Sequence, residues 1–259
     1  MSNYITFLRK EFMENMRTKR ILVIACVFIL FAVTSALLAR YIAELFGFIA
    51  AGDETVAAIA DVLPPPTWAD SYSQFYENLS LMGMFVLLFM YMGTVQREIK
   101  SGTASLMFSK GLGFASFILA KFTMATIITT VITVSSAVIS YVYTLILFDE
   151  AGSFGDVLAG SLTFSAGAMM VLAIIILCSS LTKSTPASAG MGIGAYFGLL
   201  LLAAVPTIGV YVPTNLLGFA LLISIGVYPD YLIANLLISV VITIVALFLA
   251  MQAIKRAEG

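Results

Sequence analysis

Residues 21–39 read ILVIACVFILFAVTSALLA, without one charged side chain. A helix of this length crosses a hydrocarbon core about 30 Å thick, which takes about 20 apolar residues. Comparable runs recur at roughly 79–95, 117–148, 157–181, 187–206 and 232–253. Six such runs predict an all-α, polytopic membrane protein. Composition agrees: 61% of residues are hydrophobic, 10% are charged and mean hydropathy is +1.06, whereas soluble domains carry about a quarter charged residues. The first run follows a polar lead and exceeds the apolar stretch of a secretory signal, so it reads as a retained span.

Several function classes drop out. The chain has no histidine, which removes histidine-dependent triads, metal sites and proton relays. Cys26 and Cys178 each lie within an apolar run and read as small packing residues. The net charge of −1 comes with no basic tract suited to nucleic acid. No Asp, Glu, Lys or Arg lies centrally in any run, which argues against a carrier coupled to protons or sodium. No G-x-x-x-x-G-K-[ST] phosphate loop is present, so the chain is not expected to hydrolyse ATP.

Lys and Arg counts set the orientation. With six spans, Arg9, Lys10, Arg17, Lys19, Arg20, Arg97, Lys100, Lys110, Lys121, Lys183, Lys255 and Arg256 share one side, and Arg40 alone lies on the other with Glu44, Asp53, Glu54, Asp61, Asp70, Glu77, Asp149, Glu150, Asp156 and Asp230. Both termini are thus expected in the cytoplasm. Residues 207–231 are apolar but broken by Pro213, Gly218, Gly226 and Pro229. They predict a re-entrant or outer-surface helix, from about 215 to 227, in place of a seventh span. The outer loop 40–78 holds Pro64, Pro65 and Pro66, then Trp68, Tyr72, Phe75 and Tyr76. It reads either as a small external cap or as an interfacial aromatic belt.

Span three carries Thr126, Thr130, Thr133, Ser136 and Ser140 at intervals of three or four residues, along one helical face. They would line a path for an amphipathic or lipid-like substrate, or pack helices through back-bonded hydroxyls. In AGMGIG, Gly190, Gly192 and Gly194 open an apolar span and suggest close helix packing, not a nucleotide fingerprint.

Between two long apolar runs VQREIKSGTASLMFSKG, residues 95–111, sets Arg97, Glu98, Lys100 and Lys110 close together. Ser101 is a candidate N-cap, Lys110 suits the last turn and Gly111 suits the C′ position. A short helix over 102–110 would present Leu106, Met107 and Phe108 as an apolar knob behind a collar of Arg97, Glu98 and Lys100. Such a knob seats on a partner or on lipid headgroups. Upstream, FLRKEFMENMRTKR follows Ile5, and Ile5, Leu8, Phe12 and Met16 give residues 1–20 an apolar side at helical spacing.

These two stretches resemble the type-2 ABC exporter permeases. In that family a Glu after span two precedes a Gly-Thr pair, an apolar triplet and a Lys opening span three; here these are Glu98, Gly102-Thr103, Leu106-Met107-Phe108 and Lys121. The N-terminal segment, with Lys10-Glu11 followed by Phe12 and Arg17, is similar to the family's connecting helix. Where the family often has Pro and a Ser/Thr-Arg pair after the triplet, this chain reads SKGLGFASF. The resemblance implies a connecting helix at 1–20, a permease domain at 21–259 and a coupling helix between spans two and three. It further implies a dimer of permease chains in a bacterial plasma membrane, seated on two cytoplasmic ATPase subunits that supply ATP and Mg. Arg97, Glu98, Lys100, Ser101, Gly102, Thr103 and the triplet would form the ATPase contact. Two other classes stay in view: a gradient-driven channel or carrier, and a membrane anchor or sensor.

Overall fold

A computed structural model describes residues 2–49 and 65–258. Asp53, Glu54, Asp61 and Pro64 of the outer loop lie outside the described residues. All regular structure among the described residues is helical, and six helices are long and apolar enough to cross a membrane. The chain is an all-α polytopic membrane protein.

Helix α1 (Ser2–Arg17) turns at Thr18 and Lys19 into α2 (Arg20–Ile49), whose apolar part Arg20–Ile42 is span one. Span two begins earlier than its hydropathy suggests, covering Trp68–Lys100 in segments. These are α3 (Trp68–Asn78), a π-helical turn (Leu79–Gly83), α4 (Met84–Tyr91) and α5 (Gln96–Lys100). Helix α6 (Thr103–Ser109) follows, then spans three to five: α7 (Phe114–Phe148), α8 (Phe154–Leu181) and α9 (Thr185–Ala203). Span five stops short of its expected end near 206, because the residue before Pro206 is steered away from helical geometry. Helix α10 (Asn215–Ser224) precedes span six, α11 (Leu232–Glu258).

The aromatic stretch of the outer loop is not a lipid-facing belt. Its side chains extend span two as α3, and Tyr72, Phe75 and Tyr76 are buried in the main core with Phe164, Val157 and Leu217. Helical spacing of rings within a polar-looking sequence allows this. Asp70 accepts from the Thr67 N–H at 2.8 Å, closing the start of α3. The Tyr72 hydroxyl reaches the Ala151 carbonyl at 2.8 Å, tying α3 to the turn between spans three and four.

Span two also breaks regular helix where span five meets it. At the π-helical turn the Ser80 carbonyl accepts from the Tyr196 hydroxyl at 2.6 Å, and below it the Met92 carbonyl accepts from Ser188. Such turns free backbone acceptors that a neighbouring helix then satisfies.

Span four is the hub: 72% of its spanning window is buried, against 17% for span five. Helix α10 lies on it, covering ten residues where 215 to 227 was expected. It is too short to cross a bilayer. Its end is set by Gly226 at φ 83°, with the Gly226 N–H on Ile223 and the Val227 N–H on Leu222. Contact with span four requires Gly160, where a Cβ would collide with Ser224 Oγ and lie 2.5 Å from the Ala220 carbonyl.

A second apolar cluster gathers Phe7, Val95, Ala104, Phe117, Ala250 and Ile254. It joins α1, α6, the start of span three and the end of span six, so both described ends of the chain share one side. That side carries the basic residues and is cytoplasmic by the positive-inside rule.

Gly160→Val is expected to lower the thermal stability of the detergent-solubilised protein by about 1–3 kcal/mol, the usual cost of overpacking. Gly155→Ala, where only Ser153 lies near at 3.6 Å, is expected to leave the melting temperature unchanged.

Candidate functional site

The stretch 95–111 folds as two short helices hinged at a glycine. Helix α5 restarts span two after the break at 92–95, and its first N–H groups, those of Val95 and Gln96, both donate to Ser179 Oγ of span four at 3.1 Å. The Gln96 amide donates to the Lys183 carbonyl at 2.8 Å and accepts from Thr185 at 3.0 Å. One face of α5 is thereby pinned to the junction of spans four and five.

The N-cap of α6 is Gly102, not Ser101 as expected. Gly102 sits at φ 72°, a left-handed conformation that suits glycine. Ser101 instead pairs with the Thr103 hydroxyl at 2.7 Å and donates to the Glu98 carbonyl at 3.2 Å. At the far end Gly111, at φ 87°, is the expected C′ residue; its N–H reaches Phe108 and the Leu112 N–H reaches Met107.

The apolar triplet is split. Leu106 is 59% exposed. Met107 and Phe108 are half-buried, and the Phe108 ring lies tilted 4.5 Å from Phe114 and edge-on 5.3 Å from Phe117. The knob is therefore Leu106 alone; a seven-residue helix has two sides, and Phe108 faces the bundle.

Beneath this helix lies a group of charges from three distant parts of the chain. Lys121, one turn into span three's apolar run, is fully buried, with its ammonium 2.8 Å from Glu11 Oε1 and 2.6 Å from Glu98 Oε1. Lys10 reaches the same Glu98 oxygen at 2.6 Å, Glu11 at 3.1 Å and Glu14 at 2.6 Å. Two ammonium groups thus hold three carboxylates, and buried Arg20 adds a third positive charge that acts on Glu14. The rings of Phe7 and Phe117 lie 5.7 and 5.0 Å from the Lys121 ammonium. The carboxylate oxygens of Glu11, Glu14 and Glu98 lie within 4.8 Å of one another, as a cation site would need. The ammonium groups of Lys10 and Lys121 hold these carboxylates already.

Burial alone would raise the Glu14 carboxyl, but its hydrogen bond to Lys10, with the charges of Lys121, Lys10 and Arg20, holds it below its ordinary 4.5. Burial likewise pulls the Lys10 ammonium down, and Glu11, Glu14 and Glu98 outweigh it and raise it above its ordinary 10.5.

The other expected site residues fall around this group. In α1 the inward face is Phe7, Leu8, Glu11 and Asn15, while Ile5, Phe12 and Met16 of the expected apolar side point outward, Ile5 being 64% exposed. The ion pairs account for this: they turn Glu11 inward and rotate the apolar stripe away. Arg17 is exposed at the end of α1, and Lys100 is exposed at the end of α5. Exposed Arg97 folds back over Gly93, where a Cβ would lie 2.6 Å from its Nε.

The span-three hydroxyls do not join the site. Thr133, Ser136 and Ser140 are buried, Thr126 and Thr130 half-buried. Ser136 donates to the Thr133 carbonyl at 2.9 Å. None of the five lines the cytoplasmic groove beside Lys100 or the outer cavity of about 540 Å³ between Tyr76, Tyr196 and α10. Three residues of the charge group, Glu14, Arg20 and Lys121, were missed as site residues; the i, i+4 spacing of Lys10 and Glu14 and the place of Lys121 in the family pattern were the signals available.

No family model matches the sequence. The chain is 22% identical over 194 residues to the "Uncharacterized transmembrane protein YxlG" of Bacillus subtilis (strain 168), covering 75% of this chain and 74% of that protein. The similarity agrees with a multi-pass membrane protein.

Removing one partner of a buried ion group leaves a bare charge, at a cost of about 3–5 kcal/mol. Lys121→Met is expected to lose that much in denaturant unfolding, and the Glu11→Gln/Lys121→Met pair to lose less than the sum of its single changes. The pH response follows from Glu14 and Lys10. A lowered carboxyl stabilises the fold above its ordinary 4.5 and is lost as pH falls; a raised ammonium stabilises below its ordinary 10.5 and is lost as pH rises through its folded value. The melting temperature is expected to fall on acidification below pH 4.5, and Lys10→Gln to shrink that acid limb.

Proposed function

We propose that this chain is the membrane-spanning subunit of an ATP-driven exporter of the type-2 ABC class, moving a peptide, drug-like or lipid-like substrate across a bacterial plasma membrane. The observation that carries this reading is Leu106, 59% exposed on a glycine-bounded helix whose base is held by buried ion pairs. A bare apolar side chain on a rigid cytoplasmic mount suits a protein socket. ATP and Mg would belong to two separate ATPase subunits, since this sequence lacks a phosphate loop.

The coupling would run through α5. An ATPase that closes on ATP would press on α6 through Leu106 and the outward face of α1. Glycine at 102 permits a pivot, and α5 is held by Ser179 on one side and by Lys10 and Lys121 on the other. Displacement of α5 would therefore reach spans three and four together. In thermodynamic terms ATP would shift a two-state helix arrangement through contacts made in only one state.

A second permease copy has a suitable face on span five. Gly190, Gly194 and Gly198 follow one another at four-residue intervals, and nothing lies within 4 Å of a Cβ at any of them. Small residues at that spacing let membrane helices approach closely.

Co-purification tests the reading. Leu106→Asp is expected to release the ATPase subunit while the melting temperature of the permease stays at its wild-type value, because Leu106 faces away from the core. Retention of the ATPase, or transport by the purified chain alone in liposomes, contradicts it.

A further inference from the structure

A groove of about 1040 Å³ opens on the cytoplasmic side where α5, the end of span four and the end of span six meet. Its rim carries three cations, Lys100, Lys183 and Arg256, and no residue lining it is acidic. Its apolar floor is an open one, from Leu177, Leu181, Phe248 and Leu249, the last three 56%, 57% and 47% exposed. Lys183 is positioned by the buried Gln96 amide on its carbonyl, and Lys100 closes α5. From the floor the exposed side of span six continues through Ile244, Val245 and Val241, which are 61%, 50% and 58% exposed.

We propose that this groove binds one anionic phospholipid of the inner leaflet, its phosphate between Lys100, Lys183 and Arg256 and an acyl chain along span six. Charge complementarity selects the headgroup: three cations without a carboxylate are uncompensated within the groove, and basic pockets between membrane helices on the cytoplasmic side take anionic headgroups. The apolar floor, continuous with the exposed side of span six, selects an amphiphile over a soluble phosphate. The lipid would sit against Ile99 and Lys100, on the same short helix whose Glu98 enters the ion group. A lipid bound here needs no ATPase partner.

The test uses the purified full chain in mild detergent, with phosphatidylglycerol and phosphatidylcholine as probes. Native mass spectrometry counts retained lipid, and the melting temperature reports stabilisation. The wild-type chain is expected to keep one phosphatidylglycerol and to melt higher with it than with phosphatidylcholine. Each cation near the surface adds about fivefold in affinity, so Lys100→Gln/Lys183→Gln/Arg256→Gln is expected to lose roughly a hundredfold. Arg9→Gln/Lys19→Gln/Lys110→Gln removes the same charge from exposed positions outside the groove and is expected to keep the lipid. Should the groove triple variant not fold, the single changes Lys183→Gln and Arg256→Gln each lose about fivefold. Equal retention of both lipids overturns the proposal, as does equal loss in the two triple variants. Stabilisation by inorganic phosphate matching that by phosphatidylglycerol overturns the lipid as occupant.

Discussion

A lysine with no exposed side-chain surface inside a membrane-spanning helix is the constraint on which the cytoplasmic half of this protein depends. Lys121 is held by Glu11 and Glu98 at 2.8 and 2.6 Å. A charge there costs several kcal/mol unless it is paired, and its partners come from an N-terminal helix and from the loop after span two. The amphipathic helix thus docks with its acidic side inward, and its apolar residues Ile5, Phe12 and Met16 are left outward. The same pairing aims α5, and through Gly102 it aims the short helix that displays Leu106.

The outer half is arranged by close packing instead of charge. Gly160 lets α10 descend onto span four, and Tyr72 and Tyr196 tie span two to its neighbours through backbone carbonyls. The charge group and the groove both adjoin α5, which makes that five-residue helix the meeting point of span four, span three and the N-terminal helix.

Six spans, the short α10 and the glycine stop at 111 were legible in the sequence, because hydropathy and backbone breakers are local properties. The start of span two at Trp68 was not: WADSYSQFYEN alternates polar residues with rings whose burial only the fold decides. Glu98 and Lys121 were legible as a pattern, and Glu11 as half of a charge pair. Their convergence was not, since Glu11 and Lys121 are separated by 110 residues and no local periodicity spans that distance. The sidedness of Leu106, Met107 and Phe108 was hidden for a related reason. Three consecutive apolar residues on a helix point in different directions, and only the position of Phe117 decides that Phe108 faces in.

The central claim is that the ion-held cytoplasmic helix is a seat for another polypeptide. The most direct measurement is photo-crosslinking in native membranes after Leu106→p-benzoylphenylalanine, with Val227→p-benzoylphenylalanine, exposed beyond α10 on the opposite side, as the comparison. The expected result is a nucleotide-binding polypeptide trapped at 106 and absent at 227. Adducts at 106 with lipid alone, or labelling of that position from the outer face, would contradict the account.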